Sequence, residues 1–145
     1  MIDVLYIEDD RSLVVAVRRL LGRAWQLDSA PSLETGVAML GEYIYDVVLL
    51  DLGLPDSAGA ATYQALRESG YEGPVVVLTG HVDSKEAARV LLDGAHDVLR
   101  KDGLAGLPKA LARAVRQGRL RRPSRRTLDA VDKVDWAGFM LSEHK

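Results

Sequence analysis

At 145 residues, with 48% hydrophobic and 28% charged side chains, the chain has the size and balance of one ordinary globular domain. It contains no cysteine, which excludes disulfides, thiolate chemistry and cysteine-based metal sites, and no apolar run approaches the ~20 residues that span a bilayer. The net charge of −2 conceals blocks of −8 over residues 1–103, +8 over 104–126 and −2 over 127–145.

Short β-rich apolar runs alternate with longer helical patterns. Ile2–Ile7 reads as a strand and Ser12–Ala24 as a helix, followed by a weaker strand over Trp25–Ala30. Ser32 is placed to N-cap a helix over Leu33–Tyr43. Asp46–Leu50 is a nearly continuous apolar run, the pattern of a strand buried on both faces. A turn at Pro55–Gly59 precedes a helix at Ala60–Ser69. Pro74–Leu78 is a fourth strand ending at Thr79-Gly80, and Ser84–Asp93 is a helix closed by Gly94 at C′. Asp97–Arg100 is a short fifth strand. The stripe Leu104, Leu107, Leu111, Ala114 and Val115 then predicts a helix to about Arg121.

Five βα repeats predict an open α/β parallel sheet, doubly wound, with helices on both faces. Sites in such sheets lie outside the carboxyl ends of the strands, at a switch in strand order. After the first strand stand Glu8, Asp9 and Asp10; after the third, Asp51; after the fourth, Thr79; after the fifth, Lys101. Carboxylates brought together repel unless a cation joins them, and a hard oxygen set without Cys or His favours Mg²⁺. A carboxylate at the end of a buried strand is a rigidly held nucleophile, and carboxylates form aspartyl-phosphates. A metal, an ammonium and a hydroxyl around it would meet the oxygens of a transferring phosphoryl group.

With VLYIEDD at the first strand, DVVLLDLGLPDSAG around the third, VVVLTG at the fourth and DVLRKD at the fifth, residues 1–121 resemble the receiver domains of bacterial two-component response regulators. The resemblance implies a flavodoxin-like three-layer sandwich and a cytoplasmic phosphorelay protein, and the acidic start MIDVLYIEDD is unlike a signal peptide. It implies that Asp51 is the phosphoacceptor, that Asp9, Asp51 and the Gly53 carbonyl bind Mg²⁺, and that Glu8 reaches the metal through water. Thr79 takes the place of the switch hydroxyl, Lys101 that of the phosphate-pairing ammonium, and Gly80 that of the small residue beside the phosphate. Pro55 and Gly59 match the turn after the acceptor loop, whereas Asp10 lies past the metal pair and reads as an acid favourable to a helix N-terminus. Gly53 and His81 fall where the family tunes dephosphorylation. The resemblance further implies a regulatory domain, not an enzyme, that promotes only its own phosphorylation and dephosphorylation.

The chain departs from that pattern at Val98, where an aromatic switch residue is common, and at Asp102, where proline usually follows the lysine. Implied partners are a histidine kinase or histidine phosphotransfer protein and a downstream protein or fused output domain. A homodimer through the fourth helix, fifth strand, fifth helix or tail is a further implied contact. Residues 122–145 form an extra tail of roughly helical spacing, read as a fold-back helix, a linker to an output module or a dimer contact. The basic block over 104–126 is more often a solvated helix face than a ligand site. No membrane contact is expected, and nucleic acid is disfavoured because no stacking aromatics interleave the arginines. His96 and His144 lack metal-ligand companions and read as structural or surface residues. Two other readings are a receiver portion of a hybrid kinase, cyclase or transcription regulator, and a Mg²⁺-dependent phosphatase with an aspartyl intermediate. The phosphatase lacks an acid two residues after Asp51, where Gly53 sits. A nucleotide-binding module is rejected, since YIEDDRS has no glycine and three acids.

Overall fold

The computed structural model of the chain describes residues 1–80 and 83–121; His81, His144 and the tail over 122–145 lie outside the described residues. In chain order the elements are β1 (Ile2–Ile7), α1 (Arg11–Leu21), β2 (Trp25–Ala30), α2 (Leu33–Glu42) and β3 (Val47–Leu50). Two short strands follow, β4 (Gly53–Leu54) and β5 (Ser57–Ala58), and then α3 (Ala60–Glu68) and β6 (Val75–Thr79). The described part closes with α4 (Ser84–Leu92), β7 (Asp97–Arg100) and α5 (Leu107–Arg121). The main sheet has the order β2-β1-β3-β6-β7, and every pairing in it is parallel.

The apolar runs of β1, β3 and β6 exist because both faces of these central strands are covered, and period-two alternation divides them between two cores. Leu5, Ile7, Val48, Leu50, Val75 and Val77 pack with Leu33, Tyr63, Leu66 and Val90, which places α2, α3 and α4 on one face. Val4, Tyr6, Val47, Leu49, Val76 and Leu78 pack with Val17 of α1 and with Leu107, Leu111 and Val115 of α5 on the other. The result is a parallel sheet with helices on both faces, as the βα alternation predicts, in the flavodoxin-like three-layer form that the resemblance implies. Burying a side chain of Leu or Val size stabilises by about 1.5–3 kcal/mol, so the two cores dominate the fold.

Local differences from the sequence expectation have local causes. The first helix stops at Leu21 rather than Ala24, because Gly22 takes φ +74° and the chain continues as a 3₁₀ turn over Gly22–Ala24. The expected Pro55–Gly59 turn is part of a hairpin of β4 and β5 that starts at Gly53 and carries the chain from Asp51 to α3. Ser32 caps α2 as expected, its hydroxyl accepting from the Thr35 N–H. Leu104 falls in a separate 3₁₀ turn, and the predicted last helix begins at Leu107.

In the order β2-β1-β3-β6-β7 the chain leaves β1 toward β2 on one side and leaves the neighbouring β3 toward β6 on the other. A crevice opens where such neighbouring connections diverge, at the carboxyl ends of β1 and β3. Glu8 and Asp51 follow those two strands directly.

Candidate functional site

Backbone hydrogen bonds continue the parallel ladder one residue beyond the strands. The Glu8 N–H donates to the Ala30 carbonyl at 2.9 Å, the Asp51 N–H to Ile7 at 3.1 Å and the Lys101 N–H to Thr79 at 2.9 Å. Each of these side chains therefore springs from a main-chain position that the sheet has already fixed. Both Glu8 and Asp51 are buried, Thr79 is buried beside them, and Asp9 is exposed at the rim.

Carboxylate oxygens of Glu8, Asp9 and Asp51 lie within 4.8 Å of one another. The Lys101 Nζ joins two of them, at 2.6 Å from Glu8 Oε1 and 3.2 Å from Asp51 Oδ2. The other Asp51 oxygen accepts the Gly53 N–H at 3.1 Å, so the loop after β3 folds back to hold the side chain it follows. Asp51, Gly53, Thr79, Gly80 and Lys101 line one open cleft.

The electrostatics follow from this crowding. Burial, the neighbouring Asp51 carboxyl and only partial compensation by Lys101 hold the Glu8 carboxyl well above the ordinary carboxylate range. Burial by itself would lower the Lys101 ammonium, but its bond to Glu8 and the Asp51 charge outweigh that, and its pKa is raised. The buried Glu8 Oε2 has no hydrogen-bond donor among the described residues. With Lys101 bonded to the other oxygen and the Asp51 carboxyl close by, a shared proton or a cation is what would satisfy it. Three carboxylates with one orphaned oxygen fit a hard divalent cation such as Mg²⁺.

The structure thus brings together Glu8, Asp9, Asp51, Gly53, Thr79, Gly80 and Lys101, while His81 lies outside the described residues. Asp10 N-caps α1, its carboxylate accepting from the Ser12 and Leu13 N–H groups, which refines the expected dipole role into a direct cap. Val98 packs half-buried against the α2–α3–α4 core, and Asp102 pairs with Arg100 at 3.1 Å. Three further groups are visible only in the structure. Asp56, in the β4–β5 turn, accepts the Leu33 and Glu34 N–H groups at the start of α2, both at 3.0 Å. Glu86 reaches the acceptor cleft from α4. The buried Tyr6 hydroxyl has no hydrogen-bond partner among the described residues, and burial followed by the Glu8, Asp51 and Asp10 charges pushes its pKa up. A tyrosine inside an aliphatic strand was the only local sign of the last of these.

A parallel five-stranded sandwich with acids and a lysine meeting at its carboxyl edge is the architecture of a receiver-type domain. The family model for the response regulator receiver domain matches residues 4–112, and the chain belongs to that family. It is 31% identical over 99 residues to the transcriptional regulatory protein DltR of Streptococcus agalactiae, an alignment covering 68% of this chain and 44% of DltR. It is 32% identical over 99 residues to the cell cycle response regulator CtrA of Brucella ovis, covering 68% of this chain and 43% of CtrA. The chain thus spans less than half the length of these relatives. Among solved structures, a receiver domain from Clostridium thermocellum superposes with a TM-score of 0.72 at 23% identity, covering 84% of this chain and 100% of that one. The receiver domain is a regulatory module of response-regulator signalling. No described helix is long and apolar enough to cross a membrane.

Proposed function

We propose that the chain accepts a phosphoryl group on Asp51 from the phosphohistidine of a histidine kinase or histidine phosphotransfer protein, and thereby switches a protein-interaction surface. One observation carries the reading. A buried carboxylate meets two further acids and an ammonium that arrive from separate strand ends.

In the transfer an Asp51 oxygen forms the new bond to phosphorus while the phosphorus–nitrogen bond of the donor breaks, its electron pair staying on the imidazole. Asp51 is fixed by β3 and by the Gly53 N–H, so little reorganisation precedes attack. Lys101 compensates charge gathering on the phosphoryl oxygens, and the Thr79 hydroxyl is the donor that would move toward them. Gly80 lines the cleft without a side chain, and a Cβ there would make an ordinary contact with Lys101 Cδ at 3.6 Å, so the position has room for a small residue. The carboxylates of Asp9 and Asp51 and the Gly53 carbonyl would hold Mg²⁺, with Glu8 reaching it through water. When bound, Mg²⁺ supplies further charge compensation. Gly53 leaves the acceptor unshielded on one side, which with His81 would tune loss of the phosphoryl group.

Residues 1–121 would form the phosphoacceptor unit, and the tail over 122–145 would lead to an output module or a dimer contact. Phosphorylation adds about −1.5 to −2 charge, and the responding surface is that of α4, β7 and α5. The test is exposure of wild type and Asp51→Asn to acetyl phosphate with Mg²⁺, read by intact mass. Wild type gains one phosphoryl group per chain and the variant gains none. Equal labelling of the variant, or repeated turnover of phosphomonoesters by wild type, would overturn the assignment.

A further inference from the structure

Phosphoryl chemistry accounts for every charged side chain at the acceptor cleft except Glu86. This residue lies in the first turn of α4, half-buried, yet it lines the same cleft as Asp51, Thr79 and Lys101. Its carboxylate rests against Gly59, where an added Cβ would stand 2.6 Å from Oε1. Gly59 in turn belongs to the acceptor loop, because its N–H donates to the carbonyl of Leu52, the residue after Asp51, at 2.7 Å. It also begins α3 with φ +71° and no side-chain cap, so an anion beside it is favoured by the α3 dipole. Glu86 is thus a charged strut from α4 onto the loop that carries the acceptor.

Two further observations give this contact a consequence. The only residue of α4 buried in the core is Val90, so α4 is lightly held to the sheet. Position 98 is a valine, a β-branched side chain stiff about χ1 with no ring to swing, so coupling through β7 lacks its usual lever. Lys101, the cation of the cleft, is already shared between Glu8 and Asp51. Among the described residues Glu86 has no ion-pair partner.

Resting on the phosphoacceptor reading above, we propose that Glu86 is the residue through which α4 senses phosphorylation. Charge added at Asp51 repels the Glu86 carboxylate across the cleft, releases it from Gly59 and displaces the first turn of α4. Glu86 is a positioning residue, acting through like-charge repulsion rather than through contact with the reacting atoms.

The charge can be removed without changing shape. Wild type, Glu86→Gln and Glu86→Asp are treated with acetyl phosphate and Mg²⁺, and intact mass is read on the samples used for backbone amide NMR of Asp83–Leu92. At equal labelling, Glu86→Gln should show less than half the wild-type shift of these amides, Glu86→Asp should keep most of it, and added salt should reduce it in wild type. Equal shifts in wild type and Glu86→Gln overturn the proposal, as does wild-type labelling that leaves α4 unmoved. If wild type gains no mass, the acceptor reading itself has failed and the proposal falls with it.

Discussion

Replacing Lys101 by Met tests whether its ammonium is what allows two carboxylates to be buried side by side. The Nζ lies 2.6 Å from Glu8 Oε1 and 3.2 Å from Asp51 Oδ2, and both carboxylates are almost wholly buried. Removing one partner of a buried ion pair costs about 3–5 kcal/mol, since the remaining charge is left uncompensated. Lys101 is itself 25% exposed, so water can reach part of the gap, and Glu8, whose carboxyl is already held above the ordinary range, can take up a proton. We therefore expect a loss of only about 2 kcal/mol in metal-free buffer at neutral pH. For a domain of this size that corresponds to a fall in Tm of roughly 10 °C. The assay is urea and thermal unfolding with and without Mg²⁺. Free Mg²⁺ at about 100 times its Kd stabilises a protein by about 2.7 kcal/mol. Loss of the ammonium also removes a repulsive charge from the cation site, so Mg²⁺ should stabilise Lys101→Met more than wild type. A variant as stable as wild type without metal, or a gap that Mg²⁺ leaves unchanged, would refute the reasoning.

Two further predictions concern the frame around the site. Gly36 of α2 faces Ile7, and a Cβ would fall 2.5 Å from Ile7 Cδ1, so Gly36→Ala should destabilise by about 1–3 kcal/mol in urea unfolding; an unchanged midpoint would show that Ile7 repacks freely. The Leu33 and Glu34 N–H groups lower the Asp56 pKa, and a carboxylate with a depressed folded pKa contributes stability above its unfolded pKa and loses it as pH falls through the folded one. Wild type should therefore lose more stability than Asp56→Asn on acidification from neutrality through the carboxylate range, as read by unfolding midpoints. Parallel pH profiles would remove this contact from the account.

Much of the fold was legible because its signals are local. A strand covered on both faces must be apolar throughout, as in Val47–Leu50 and Val75–Leu78, and α5 must present a stripe such as Leu107, Leu111, Ala114 and Val115. Glu8, Asp51 and Thr79 stood out because each directly follows or ends such a run, and Lys101 because it follows the short edge strand β7, all at the strand ends where a parallel sheet places its site. α1 ends three residues before the Ser12–Ala24 pattern does, because that pattern continues through Gly22, whose positive φ no periodicity records.

By itself, then, the sequence determined the βα order, the two-sided burial of the central strands and the set of groups at their carboxyl ends. Tertiary structure alone decided which of those groups pair. The bond from Lys101 to Glu8 joins residues 93 apart and depends on strand order, since β1 and β3 must lie side by side with β6 and β7 beyond them. Asp56 capping α2 and Glu86 resting on Gly59 depend on how a turn and two helices dock, a distance relation with no period along the chain.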